Sequence, residues 1–545
     1  MCDYADNLQV NGFLGARDAV FSAPARLPHG DMALPILLCL AALVALYLYS
    51  TRTFDYWKKK GVKFEKPLPL FGNAKENFFL QKSVSEIMAE FYHKFPNEKV
   101  VGIFRGTRPQ LLIRDPEIIK RVLIKDFEPL HRRGFNFHKT EIEILRRDLF
   151  FADGDVWRLL RTRMTPAFTS GKLRGMFPLV AARAARLQAT LAAAAARPRD
   201  ARDLMARYTT DFIGAVGFGL DADSLNDPDS PFRQLGRKLF TPTLRDVAVV
   251  VLKEFFPHTF RKFKYFERTE NDFITLVSHV MKQRNYEPSS RNDFIDLLLE
   301  ARKKGTITCD SIEKPRNPDG THQQVALEFD DDLIAAQVFI FFAAGFETSS
   351  SATSYTLHEL AYNPEVQKKV QAEVDTVLAK YDNKLCYDAI KEMTYLTWTF
   401  KEGMRIFPSL GYLIRECTRP YVIPETGTRL DEGVRVFISV QGMHMDPAYF
   451  PEPEEFRPER FSPDNFSEAH KFVYLPFGDG PRGCIGERLG LMQSLAGLAA
   501  VLSVCSVSPA PATLRHPRRS PRGNIVQTVE GGMPLLFTPR HMERK

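Results

Sequence analysis

Apolar positions change rhythm several times along these 545 residues. Residues 32–49 form one run of 18 without a charge, apolar all round rather than along one stripe. That is close to the minimum length for a membrane-spanning helix. Residues 179–204, rich in Ala, Arg and Leu, predict a helix. Residues 330–362 predict a long one, opened by Asp330, Asp331 and Asp332 where acids suit a helix N-terminus. Alternating patterns near 98–114 and 434–440 predict strands. Polar stretches holding Pro and Gly at 305–325 and 505–523 predict loops. No internal repeat is visible. The pattern describes a mainly α body with small β-sheets behind one N-terminal apolar helix.

Charge orients that helix. Arg52, Lys58, Lys59, Lys60, Lys63 and Lys66 follow the run, whereas only Arg17 and Arg26 precede it. The bias keeps the C-terminal bulk cytosolic, and the run's length and its Tyr47, Tyr49 and Arg52 ending favour an anchor over a cleaved signal. Residues 1–31 are polar and unpatterned and read as an unstructured extension, or as a segment before a native start at Met32. Pro67 and Pro69 stiffen a basic connector. The expected organisation is thus an extension at 1–31, an anchor at 32–50, a linker at 51–73 and one catalytic domain at 74–545.

Composition removes several alternatives. Net charge is a mild +8 and no basic block is interleaved with aromatics, so nothing points to nucleic acid. The seven cysteines are irregularly spaced without a C-x-x-C, which argues against a disulfide framework or zinc site and for a reducing compartment. The 43 Phe suit a roomy apolar pocket, although most serve a core.

Four stretches carry chemistry. Phe477, Gly478, Gly480, Arg482, Cys484 and Gly486 place one cysteine in a glycine-rich loop. Glycines let backbone run close beneath a flat ligand, and N–H groups after a cysteine can hold its thiolate. A lone cysteine is more often a buried structural residue; the ten-residue context is what changes the reading. Ala344, Gly345, Glu347 and Thr348 lie inside the long helix, where a Gly near a Thr can open a local kink and an acid beside a hydroxyl offers a proton-delivery pair. Alone, such residues are usually solvated or back-bonded. Glu402 and Arg405, three apart, can pair on one helix face, at a cost of about 1 kcal/mol for Gly403 between them. Trp157 and Arg161, four apart, can together hold a carboxylate.

Together, in this order and from about residue 66 to 540, these motifs resemble the cytochrome P450 family. They match its F-x-x-G-x-R-x-C-x-G, A-G-x-[DE]-T, E-x-x-R with P-E-R-F, and W-x-x-x-R patterns. Gly403-Met404 departs from the more usual Thr/Ser-Leu. The resemblance implies the P450 fold and haem b with Cys484 as axial thiolate, which would favour O–O cleavage. It implies Phe477, Gly478 and Gly486 beneath the haem, and Arg482, Trp157, Arg161 and Arg415 toward its propionates. Ala344 and Gly345 would leave room for oxygen, with Thr348 and Glu347 steering protons. Glu402, Arg405 and Arg460 would form a structural network. Candidate pocket walls by family position are 130–145, 335–345, 408–414 with Tyr412, and 531–533.

The stretches 164–173 and 341–348 look most like the insect microsomal branch that handles plant toxins and insecticides. The implied activity is monooxygenation of lipophilic substrates, xenobiotic or endogenous, at the cytosolic face of the endoplasmic reticulum membrane. Electrons would come from NADPH through the flavins of a separate cytochrome P450 reductase, with cytochrome b5 a second donor, because no nucleotide-binding loop is evident here. Arg158, Arg163, Lys172, Arg174 and Arg488 are candidate docking cations, a solvated charged face being their plain alternative. Two rivals are a catalytically silent haem or ligand-binding member of the fold and a peroxide-rearranging haem-thiolate enzyme. The intact Glu347-Thr348 pair argues against the second.

Overall fold

The computed structural model describes residues 33–136, 142–227, 229–291, 293–523 and 525–540, so the expected extension at 1–31 lies outside them. The chain divides into two units, one ending at Arg52 and the other beginning at Thr53. The first holds the helix Ala33–Thr51. At about 1.5 Å per residue it is roughly 28 Å long, close to a bilayer's hydrocarbon thickness. Leu37, Leu43 and Leu48 stand exposed along it. Its polar end is tied off locally: the Ser50 and Thr51 hydroxyls donate to the Tyr47 carbonyl, and Arg52 stacks on the Tyr49 ring at 3.9 Å.

Among the described residues one other helix is long and apolar enough to cross a bilayer, Asp331–Tyr362. It is instead the buried axis of the second unit, with Leu333, Val338, Phe342, Ser350 and Leu357 all shielded. Its predicted start holds, since the Asp330 side chain accepts from the Leu333 N–H at 2.6 Å and caps it. The helices Ala201–Ile213, Thr394–Ile406 and Glu487–Val504 pack around it.

A four-stranded sheet lies in a smaller hydrophobic cluster, in the order Val100–Arg105, Arg108–Ile113, Arg435–Ile438, Leu413–Glu416. The first two strands form an antiparallel hairpin within the predicted 98–114, and Arg435–Ile438 runs parallel to the second.

Four expectations change. The single helix over 179–204 is two, Ser170–Ala192 and Ala201–Ile213, separated by the strand Arg197–Asp200. Pro198 cannot donate within a helix, and the Asp200 side chain caps the next one by accepting from Arg202 N–H at 2.9 Å. The loop at 305–325 begins and ends in an antiparallel hairpin, Thr306–Asp310 with Gln324–Glu328. The loop at 505–523 begins with the strand Cys505–Pro509, paired to Pro534–Pro539. The linker at 51–73 belongs to the body from Thr53 onward. Trp57 is fully buried there and donates to the Ile103 carbonyl at 3.1 Å, and a β-carbon on Gly102 would collide with its ring.

Candidate functional site

The cysteine loop is held in shape by its own backbone. Cys484 N–H donates to the Phe477 carbonyl and Gly483 N–H to Gly480, both at 2.9 Å. Gly478 and Gly480 sit at φ 67° and 72°, and a β-carbon on Gly480 would collide with the Leu123 carbonyl. Gly486 ends the loop as N-cap of the helix Glu487–Val504. Phe477, Gly478, Cys484 and Gly486 all border a cavity of about 270 Å³. Cys484 is open to this cavity while protein encloses its other sides. Burial pushes its thiol up, and a hydrogen bond from the Gly486 backbone pulls the other way.

One side of the cavity is strongly cationic. Arg133, Arg161, Arg415 and Arg482 border it, with Trp157 on the helix Gly154–Met164. Burial holds Arg415 down to about 9 and Arg133 down to about 10, and lowers Arg161 and Arg482 as well. Arg482 is committed to protein: it donates to the His131 and Ala152 carbonyls and to Asp153, and stacks on Trp157 at 4.3 Å. Arg161 gives one N–H to the Gly483 carbonyl at 2.8 Å. Arg415 gives one to the Ile414 carbonyl, and its buried Nε has no partner.

Four guanidiniums face one ion-paired acid, Asp153, so the cluster carries uncompensated positive charge. Two carboxylates on a flat ligand would neutralise it, and the implied haem has that form. The residues present therefore fit the group. Arg482 also locks the loop to Asp153, and it borders the cavity together with Arg133, Arg161 and Arg415. Arg133, at an inconspicuous His-Arg-Arg-Gly stretch, has no motif that announces it.

The opposite wall is the long helix. Ala344, Gly345 and Thr348 border the cavity. No local opening occurs, and the helix runs unbroken through them. Thr348 Oγ donates back to the Ala344 carbonyl at 2.6 Å. A β-carbon on Gly345 would meet the Ile213 side chain, so its smallness also serves the close crossing with the helix Ala201–Ile213. Glu347 and Thr348 diverge, because neighbours on a helix do not share a face. Thr348 borders both the cysteine cavity and a larger chamber of about 690 Å³, whereas Glu347 borders only the chamber and pairs there with Arg202.

The chamber draws on Phe135, Phe339, Ile340, Leu410 and Tyr412 from the expected walls. The stretch 531–533 does not contribute; Met533 is buried, with its N–H on Asp200 and its carbonyl on Ala201 N–H. Its place is taken by Ile525, Val526 and Val529.

Behind the loop, Glu402 and Arg405 are fully buried and doubly bonded at 2.7 and 2.9 Å, with Arg460 Nε 3.3 Å from the same carboxylate. Gly403 is no mere cost, since a β-carbon would collide with Thr356 of the central helix. The link to the loop is a residue without a motif, His444. It bonds the Arg405 carbonyl through Nδ1 and accepts Leu475 N–H on Nε2 at 3.0 Å. Burial and the Arg405 charge push it down to about 3, so it stays neutral in that role. Of the docking candidates, Lys172, Arg174 and Arg488 are exposed and Arg158 and Arg163 half-buried.

The family model for cytochrome P450 matches residues 62–534. Among similar proteins, cytochrome P450 6B6 of Helicoverpa armigera is 37% identical over 505 residues, covering 92% of this chain and 97% of its own. Cytochrome P450 6B1 of Papilio polyxenes is 39% identical over 487 residues, covering 87% and 94%. Cytochrome P450 6k1 of Blattella germanica is 36% identical over 508 residues, covering 92% and 96%.

Proposed function

The chain belongs to the cytochrome P450 family of monooxygenases, and from that premise we propose that it is a membrane-anchored enzyme inserting one atom of dioxygen into lipophilic small molecules. Its substrates are xenobiotics such as plant toxins or insecticides, or endogenous lipids and hormones. Electrons come from NADPH through a separate flavoprotein reductase, with cytochrome b5 as a second donor. The anchor at 33–51, with its basic flank on one side, supports residence in the endoplasmic reticulum membrane with the body on the cytosolic face.

One observation carries this reading. The Cys484 thiol opens into a cavity between an uncompensated cluster of buried and half-buried arginines and a helix wall whose Thr348 also borders an aromatic chamber. Cys484 would hold the iron, and Arg133, Arg161, Arg415, Arg482 and Trp157 the propionates. Haem, when bound, supplies the oxygen-activating chemistry. The remaining tasks belong to the chain. Ala344 carbonyl fixes Thr348 Oγ, so that its lone pairs remain available to receive and pass a proton. Glu347, held by Arg202 on the chamber wall, is the nearest acid in sequence to replenish it. Phe135, Phe150 and Phe151, packed ring on ring, limit water above the site.

The test is Thr348→Ala in a reductase-driven assay. NADPH oxidation persists, product per NADPH falls by about tenfold or more, and the missing electrons appear as hydrogen peroxide. Product and NADPH use falling in equal proportion would count against a proton-steering hydroxyl.

Reductase docking has its own check. Arg488 donates to Ser170 Oγ at 3.0 Å, which puts it beside the start of the helix carrying Lys172 and Arg174. Reversing Lys172, Arg174 and Arg488 to Glu is expected to slow reductase-driven turnover several-fold, roughly, and more at low salt, while sparing peroxide-driven turnover. Equal losses in both assays would remove these residues from the docking surface.

A further inference from the structure

Arg146 is a cation of the chamber wall with few of its donors used among the described residues. A guanidinium carries five N–H groups. Among the described residues, Arg146 gives one from Nη2 to the Phe135 carbonyl at 2.9 Å and lies over the Phe151 ring at 4.7 Å. Its buried Nε has no partner, and among the described residues no carboxylate is bonded to it. Of the other chamber arginines, Arg105 holds Glu254, Arg202 holds Glu347, Arg233 holds Asp203, Arg237 lies near Asp203 and Asp229, and Arg435 lies 3.7 Å from Glu416, whereas Arg522 is exposed to solvent.

The charged and titratable groups facing Arg146 do not compensate it. They are Glu143, Asp148, Tyr265 and Arg435. Glu143 has spent both oxygens, one on Lys253 at 2.9 Å and one on the Tyr265 and Phe266 N–H groups. Asp148 is fully buried, its Oδ1 accepts the Phe150 and Phe151 N–H groups at 2.6 and 2.9 Å, and desolvation pushes it up to about 7, which weakens it as a counter-charge. Arg435 adds a second positive charge. The chamber around this corner is aromatic, with Phe135, Phe150, Phe151 and Phe266 in ring contact.

The segment is also pinned. Gln337 of the central helix accepts Leu149 N–H at 3.0 Å and donates to the Arg147 carbonyl at 3.2 Å, and Arg147 pairs with Asp330. Arg146 borders the chamber and not the cysteine cavity, so it stands apart from the arginines suited to the haem carboxylates.

We propose that Arg146 is a specificity residue that binds the carboxylate of substrates with an otherwise lipophilic, aryl or alkyl body. A planar fork in apolar surroundings is the geometry that holds a carboxylate with two parallel charge-assisted bonds. With the acid end at Arg146, the apolar remainder extends along the aromatic wall toward Ala344 and Thr348, which the chamber shares with the cysteine cavity. This assignment rests on the chamber's being the substrate site, as proposed above.

The test is calorimetric titration of the full-length holoenzyme, in detergent, with 6-phenylhexanoic acid and its methyl ester. Wild type, Arg146→Gln and Arg146→Lys are compared. Wild type is expected to bind the acid about tenfold or more tightly than the ester. In Arg146→Gln that preference collapses while ester affinity holds, and in Arg146→Lys part of it survives. Equal binding of acid and ester by wild type, or a preference undiminished in both variants, overturns the assignment. If the glutamine variant does not fold, the lysine variant decides: a reduced preference supports the role and an unchanged one overturns it. The reduced, carbon-monoxide spectrum of the same preparations reports the thiolate assignment separately, so failure of one reading does not pass for failure of the other.

Discussion

Replacing Cys484 with alanine is expected to abolish the strongly red-shifted Soret band of the reduced, carbon-monoxide-bound protein, leaving a conventional band or no haem. Cys484 is the only cysteine that borders the cavity among the described residues, so no neighbouring thiol can substitute. The substitution is mild for the fold. It keeps the Cys484 N–H bond to the Phe477 carbonyl, the glycine turns and the Arg482–Asp153 lock. Loss of one sulfur facing a cavity should cost only about 1 kcal/mol. A thermal midpoint close to wild type beside a vanished red-shifted band would assign the ligand to Cys484. A red-shifted band that persists in the variant would remove Cys484 from that role and with it the observation on which the proposed function rests.

What the sequence made legible was local. A loop of fixed glycines, an E-x-x-R pair and a W-x-x-x-R pair are each written within ten residues, and each lands on the elements that place it: the turn before Glu487–Val504, the helix Thr394–Ile406 and the helix Gly154–Met164. The long central helix was legible too, through its acids and apolar length. The rest depended on partners far along the chain. Arg482 reads as a propionate ligand, and only the fold shows that Asp153, 329 residues earlier, also takes a bond from its guanidinium. Gly345 and Gly403 read as weak points until Ile213 and Thr356 are brought against them. Arg133, Arg146 and His444 carry no motif, and only tertiary packing shows that the first joins a cationic cluster, the second faces a chamber with no carboxylate partner among the described residues and the third bridges two networks. The break at Pro198 was legible and outweighed by the helix propensity of its alanine-rich surroundings, a case of composition masking a backbone constraint.

The second large effect is expected at Glu402. Alanine there leaves Arg405 with its charge fully buried and its carboxylate gone. It also deprives Arg460 and the Arg457 N–H of their shared acceptor, the latter at 2.9 Å. Removing one partner of a buried ion pair costs about 3–5 kcal/mol, more than most single changes, because the remaining charge has no water to return to. Arg405 is the post on which three further bonds hang, to the His444, Pro453 and Glu455 carbonyls. His444 in turn holds Leu475 at the base of the cysteine loop. Disorder at Glu402 is therefore expected to propagate along Arg405 and His444 to the loop. The thermal midpoint should fall by roughly 5–10 °C, and haem loss should accompany unfolding at the lower temperature. Replacing the pair together, Glu402→Leu with Arg405→Met, should cost less than either single change implies, because no unpaired charge is left behind. A single Glu402→Ala variant that melts with wild type would show that solvent or another group compensates Arg405, and that the network is not what holds the loop.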